Sequence, residues 1–277
     1  MKYLLPVISL LAMAAAAAAE LSDAELARIG HKVWMNECAG TVAGLTSWNE
    51  GEDFASLGIG HFIWYPAGKR GPFEESFPPL MEYLAAHGQP VAGWIRGACP
   101  WNSRAEFMAA QHGDKLGALR KLLAETVPLQ ARFLARRMHD SLPKMLAAAS
   151  PADAEKIRRN FALMEACGAG TFALVDYVNF KGEGTLATER YNGQGWGLLQ
   201  VLETMPEGVD IEHLPSLAAG PRPDVTQYEG GAVGQFSIAA SRVLRNRVHN
   251  APPERHEERW LTGWEARVKG YMQIGGV

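Results

Sequence analysis

The passage from residue 37 to residue 64, ECAGTVAGLTSWNEGEDFASLGIGHFIW, constrains the fold most, because there a helix with a carboxylate on its apolar stripe gives way to a glycine-punctuated β segment. Ser22 followed three residues later by Glu25 is a capping-box pattern, so a helix starts there. Leu26, Ile29 and Val33 recur at the spacing that stacks side chains on one helix face, and Glu37 is the next position on that stripe. A carboxylate turned toward a core is costly to ionise, and a general acid that must keep its proton near neutral pH needs such a setting; the other reading of the stripe is a helix-end glutamate leaning into solvent.

Gly40 and Gly44 discourage further helix, and Trp48-Asn49-Glu50-Gly51 is turn chemistry between two β-like runs. Three more carboxylates fall between Trp48 and Phe54, and Phe54 to Phe62 reads as a strand. Gly58 and Gly60 leave one side of it bare, which either admits a flat ligand or marks a bulge or a tight packing contact.

Glu37, a short hairpin and then Ser56-Leu57-Gly58-Ile59-Gly60-His61 resemble the phage-type lysozymes (endolysins, glycoside hydrolase family 24), whose motif runs Glu, an acidic residue, Thr, a hydrophobic residue and GIGH. The resemblance implies Glu37 as general acid, a hairpin carboxylate that positions water, and the Ser56 hydroxyl in place of threonine. Counting back from GIGH puts Glu50 at the hairpin position, with Asp53 as its competitor, and the spacing from Glu37 to the glycines is longer than the family's. Gly58 and Gly60 would line the sugar site, and His61 would be a structural ion-pair partner.

Two later blocks resemble the same family. Asp176-Tyr177-Val178-Asn179-Phe180-Lys181-Gly182 follows a long apolar run, Ile157 to Phe180, that reads as the central buried element interrupted at Gly168 and Gly170. Tyr177 and Asn179 are then either cleft-facing partners for sugar groups or satisfied buried polar groups. Near the C-terminus, Arg247, Asn250, Pro252, Arg255, Arg259 and Trp264 occupy the order of the family's closing basic helix, proline break and tryptophan. The intervening NGQGWGLLQ, with Gln194 as a candidate sugar contact, is similar to the glycine-rich segment of goose-type lysozymes and lytic transglycosylases.

The rest of the chain frames that core. Residues 1–19 carry Lys2, an apolar middle and a small-residue end, a secretory signal pattern that implies a periplasmic or secreted protein. No cysteine precedes Cys38 to take a lipid anchor, and no later run reaches the ~20 apolar residues of a membrane span. A formal net charge of -3 leaves no basic footprint for nucleic acid or anionic membranes. Three cysteines, Cys38, Cys99 and Cys167, allow one disulfide in an exported protein and make a zinc site improbable.

Residues 66–150 form an enlarged middle region. Its first part is rich in proline, glycine and aromatics, with one short helix expected near Met81 to Ala86. Trp64, Tyr65, Trp94 and Trp101 either stack on sugars or fill a core edge. From Ser103, capped with Glu106, the chain turns helical, with Leu116, Leu119, Leu122 and Leu123 as its stripe and His112, Arg132, Arg136, Arg137 and His139 as a solvated face. Ser150-Pro151 opens another helix. A proline- and glycine-rich segment, 205–230, reads as an insertion or a lid.

The expected fold is α+β and mainly helical, lysozyme-like, with a small β-hairpin lobe and a larger helical lobe over residues 20–277. The expected function is hydrolysis of β-1,4 bonds in peptidoglycan by carboxylate acid–base chemistry, with neither metal nor organic cofactor. A lytic transglycosylase is the nearer alternative. A non-catalytic glycan-binding or periplasmic interaction protein is the other.

Overall fold

A computed structural model of the chain describes residues 21–71, 73–206 and 231–273. The expected leader over 1–19, and residues 207–230 of the segment 205–230 read as an insertion or lid, lie outside the described residues. The described residues form α1 (Asp23–Cys38), three short strands β1 (Thr46–Ser47), β2 (Ala55–Leu57) and β3 (Phe62–Trp64), then α2 (Phe77–Ala86), α3 (Arg104–Ala109), α4 (Asp114–Glu125), α5 (Val127–Ala148), α6 (Pro151–Glu165) and α7 (Gly168–Lys181). A two-stranded ribbon, β4 (Arg190–Tyr191) and β5 (Gln194–Gly195), precedes α8 (Leu198–Thr204), α9 (Ala232–Asn250) and α10 (Glu258–Lys269). The protein is therefore mainly helical with a small antiparallel sheet.

α1 starts at the capping box: Ser22 Oγ accepts the Glu25 N–H at 3.3 Å, and Glu25 Oε2 accepts the Ser22 N–H at 2.9 Å. Leu26, Ile29 and Val33 are buried, and this face packs on α5. Ala39 ends the helix in the left-handed region at φ 50°. The sheet has the order β1-β2-β3, with Ser56 opposite Ser47 on one side and Ile63 on the other.

The expected single strand from Phe54 to Phe62 is two strands around a turn. Gly58 at φ 68° and His61 at φ 47° reverse the chain, so GIGH is the connection between β2 and β3. The turn is pinned from behind: Ile59 N–H donates to Gln130 Oε1 at 3.0 Å, and the fully buried Gln130 amide donates to Leu123 O at 2.6 Å and Thr126 Oγ1 at 3.0 Å. A Cβ on Gly58 would collide with Gln130 Oε1. The small helix near Met81 begins earlier than expected, at Phe77, because prolines at its first turn lack only N–H groups that a helix start leaves unbonded anyway.

α6 and α7 share the apolar run, which breaks after Glu165. α7 is buried from Gly168 to Tyr177 and is the central helix, packing on α6 through Gly170, where a Cβ would strike Met164 O. Of the expected solvated face, His112, Arg132, Arg136 and His139 are exposed. Arg137 is half-buried instead; burial disfavours its charge, and Glu74 and Glu183 favour it. No described helix is long and apolar enough to cross a membrane.

Candidate active site

Glu37 sits on the last turn of α1, where the helix meets the sheet, with its side chain 13% exposed. Three distant segments meet it. Arg267 of α10 donates from Nη2 to Oε1 at 2.5 Å, and Asn179 of α7 donates from Nδ2 to the same oxygen at 3.4 Å. His61 presents Nδ1 to Oε2 at 3.5 Å. The carboxylate is therefore not in the apolar socket expected from the helix stripe, because the stripe ends at a polar cluster.

Arg267 is itself oriented by Asp176, a fully buried carboxylate on α7. The pair is bidentate, Nε to Oδ2 and Nη2 to Oδ1, both at 2.8 Å. Tyr271 donates its hydroxyl to Oδ2 at 2.6 Å, and Asn36 its amide to Oδ1 at 3.1 Å. Burial alone would lower the Arg267 pKa; the Asp176 charge and hydrogen bonds, followed by the Glu37 charge, hold it above its ordinary value. Burial likewise lifts the Tyr271 hydroxyl well above its usual range, with Asp176 adding to it. Both oxygens of a buried acid are thus satisfied, which fixes the guanidinium that grips Glu37.

On the hairpin, Glu50 and Asp53 are exposed and make no hydrogen bond or ion pair among the described residues. The carboxylate that reaches Ser56 is Glu52: its Oε2 lies 3.5 Å from Ser56 Oγ and accepts from Asn49 Nδ2 at 3.1 Å. Its backbone oxygen takes the Trp48 indole N–H at 2.7 Å, so the loop is held at both ends of the residue. Ser56 is buried at 3% exposure.

An aromatic shelf adjoins Glu37. Arg267 stacks over Phe180 at 4.2 Å, and Lys181 over Phe180 at 4.0 Å and Trp264 at 3.3 Å. Arg247 lies over Trp264 at 5.0 Å and Trp196 at 4.1 Å, and pairs with Glu257 through Nε at 2.7 Å and Nη2 at 2.8 Å. Tyr191 donates to Glu257 at 2.9 Å. Burial works to raise the Glu257 pKa, but the Arg247 bonds and charge outweigh it and hold it below the usual range.

The other residues named from the sequence are dispersed. Gly58 and Gly60 are buried against Gln130, Phe62 and Leu134, a packing arrangement. Trp64 is fully buried with Phe77, Trp94 and Trp101 around it, and Tyr65 and Trp101 are buried too. Tyr177 is fully buried and donates to Trp196 O at 3.0 Å. Asn179 is at the site, and Gln194 is exposed on the β4–β5 ribbon. Cys38 and Cys99 are buried free thiols, and Cys167 caps α7, its Sγ accepting the Gly170 N–H at 3.3 Å. Burial, then the Glu37 charge, pushes the Cys38 thiol up to about 12. Among the described residues no group of three or more His, Cys, Asp or Glu is placed to hold a metal ion.

Arg267, Asp176 and Glu52 are the site residues that sequence reasoning passed over. Glu52 lies four residues before Ser56, a usable local signal; Arg267 follows Trp264 by three residues and precedes Tyr271 by four, a spacing that marks it as inward-facing but does not name its partner. No family model, curated protein or solved structure matches the chain.

Proposed function

We propose that this protein is an exported, lysozyme-like glycoside hydrolase that cleaves β-1,4 bonds in amino-sugar glycan strands, with peptidoglycan as its polymer. In this reading the three-stranded sheet and its loops form one wall of a cleft, and the ends of α1, α7 and α10 form the other. The observation that carries it is the convergence on Glu37 of His61, Asn179 and Arg267, which gives one carboxylate a defined direction. Glu37 protonates the leaving glycosidic oxygen. Because Oε1 is engaged by Arg267 and Asn179, the transferable proton belongs on Oε2, the His61 side.

Glu52, with the Ser56 hydroxyl, then holds the attacking water on the far face of the sugar and accepts its proton as the new bond to the anomeric carbon forms. It takes the role considered for Glu50 or Asp53, since it is the hairpin acid that reaches Ser56. A carboxylate so placed favours hydrolysis over a single-acid transglycosylase. The test is fragment release from purified peptidoglycan, with mass spectrometry of the sugar ends. New reducing ends support the hydrolase and anhydro ends the transglycosylase, while polymer binding without fragments leaves a binding protein. Glu37→Gln should lower turnover by roughly 10²- to 10⁴-fold with polymer binding kept. Undiminished turnover would move the acid elsewhere.

A further inference from the structure

The last turn of α7 carries a basic side chain that the acid–base reading leaves unused. Lys181 follows Asn179 by two residues and shares the Phe180 ring with Arg267, so it lies one aromatic ring from the guanidinium that grips Glu37. Three basic side chains crowd this shelf, and two are committed. Arg267 belongs to Asp176 and Glu37, and Arg247 to Glu257. Lys181 is half-buried and makes no ion pair among the described residues.

Two ring faces attract an ammonium but do not satisfy its three N–H donors. Burial first, then Arg247, push the Lys181 amine down to about 6, with Arg267 adding to the push and Glu257 and Glu37 opposing it. The shelf is thus a place where positive charge is held back for want of an anion. A ligand carboxylate would supply it and complete the pairing that both arginines already have.

Resting on the glycosidase reading of this cleft, we propose that Lys181 receives a carboxylate carried on the lactyl arm of a muramoyl sugar, so that the site prefers acid-bearing glycan to neutral amino-sugar polymers. The carboxylate has two sources of the same chemistry: the free lactyl acid of a peptide-free strand, or an acid of the attached peptide. Binding draws a proton onto the amine, because burial and Arg247 disfavour its charge until the anion arrives to favour it.

The experiment is calorimetry at pH 7 in two buffers of different ionisation heat, in the Glu37→Gln background that stops turnover. The probes are peptide-free muramoyl oligomers, peptide-bearing muramoyl oligomers and N-acetylglucosamine oligomers of the same length. Acid-bearing oligomers should bind roughly tenfold tighter than the neutral one and take up close to one proton. Lys181→Met should erase both the preference and the uptake, whereas Lys181→Arg should keep the preference without the uptake, since a guanidinium is always charged. Tight binding of the peptide-free oligomer names the lactyl acid, and tight binding of the peptide-bearing one alone names the peptide acid.

Equal affinity for all three probes, binding to none, equal weakening of all three by Lys181→Met, or proton uptake that survives Lys181→Met would each overturn the inference. Wild-type protein that cleaves no glycan but shows the Lys181-dependent preference ends the hydrolase reading and leaves this inference standing. Wild type that cleaves acid-bearing and neutral oligomers with equal kcat/KM does the reverse.

Discussion

The helical wall and the hairpin each carry a carboxylate of the proposed site, and they hold it by opposite means. Glu37 is fixed by Asn179 and Arg267, which stand 142 and 230 residues away in the chain. Glu52 is fixed by Asn49 and Ser56, three and four residues away. A wall built from long-range contacts exists only when the whole fold is in place. The hairpin acid is set by its neighbours within a loop whose start is tied to the helical lobe by Arg104, which donates to Trp48 O at 2.9 Å, and Arg120, which donates to Thr46 Oγ1 at 2.7 Å. Changes in the contacts that support Glu37 should therefore be felt as stability, and changes at the hairpin acid as turnover.

Asp176→Asn is the strongest way to break the wall. It keeps the side chain's shape but leaves the Arg267 guanidinium buried without a full counter-charge, and turns an amide N–H toward two of the four donors of the Asp176 set. Removing one partner of a buried pair costs about 3–5 kcal/mol, and urea or guanidinium denaturation would read it. A loss under about 1 kcal/mol would mean that the wall is held by packing alone and that Asp176 does not set Arg267.

The hairpin is broken at smaller cost to the fold and larger cost to chemistry. Glu52→Gln should lower turnover about 100-fold while stability stays within about 0.5 kcal/mol, because the residue is half-buried and its partners are local. Glu50→Gln and Asp53→Asn serve as the comparison and should remain near wild type, both side chains being exposed. Steady-state rates on soluble glycan decide between the three. A larger loss at Glu50 or Asp53 than at Glu52 would return the base to the residues that counting back from GIGH selects.

The same contrast explains what the sequence discloses. α1 was legible to its last turn because the capping box and the Leu26, Ile29, Val33 stripe are local and periodic, and both are found as expected. The Ser103 and Ser150 caps were legible for the same reason, whereas the break expected at Gly168 and Gly170 falls just before them, at Ala166 and Cys167, and both glycines are inside α7. The strand from Phe54 to Phe62 was misjudged because β-like composition does not report the positive φ at Gly58 and His61 that turns GIGH into a connection. Glu52 was missed because the loop between β1 and β2 shifts the acid toward Ser56, and counting residues cannot see a loop's path. Arg267 and Asp176 carry no local signal of their pairing: Tyr271 and Asn36 complete their set only after α1, α7 and α10 have met.

Lys181 sharpens the comparison, because it belongs to the wall and yet should act against stability. Burial, then the neighbouring Arg247 charge, push its folded amine down to about 6 from the 10.5 of an ordinary lysine. Between those values the unfolded chain binds the additional proton, so this group makes stability rise with pH, and its full cost is present below about pH 6. Lys181→Met should therefore stabilise the protein at pH 7, by an amount on the order of 1–2 kcal/mol once local relaxation is allowed for, and the gain should shrink as the pH is raised toward 10. Denaturant midpoints of both proteins at pH 7 and pH 9 measure it. A gain that falls with pH, together with lost preference for acid-bearing glycan, marks a cation kept unsatisfied for a ligand, the opposite of Asp176, whose partners are all supplied by the fold. A loss of stability at pH 7 would instead make Lys181 a clamp on the Phe180 and Trp264 rings, and the carboxylate would then have no deficit to fill.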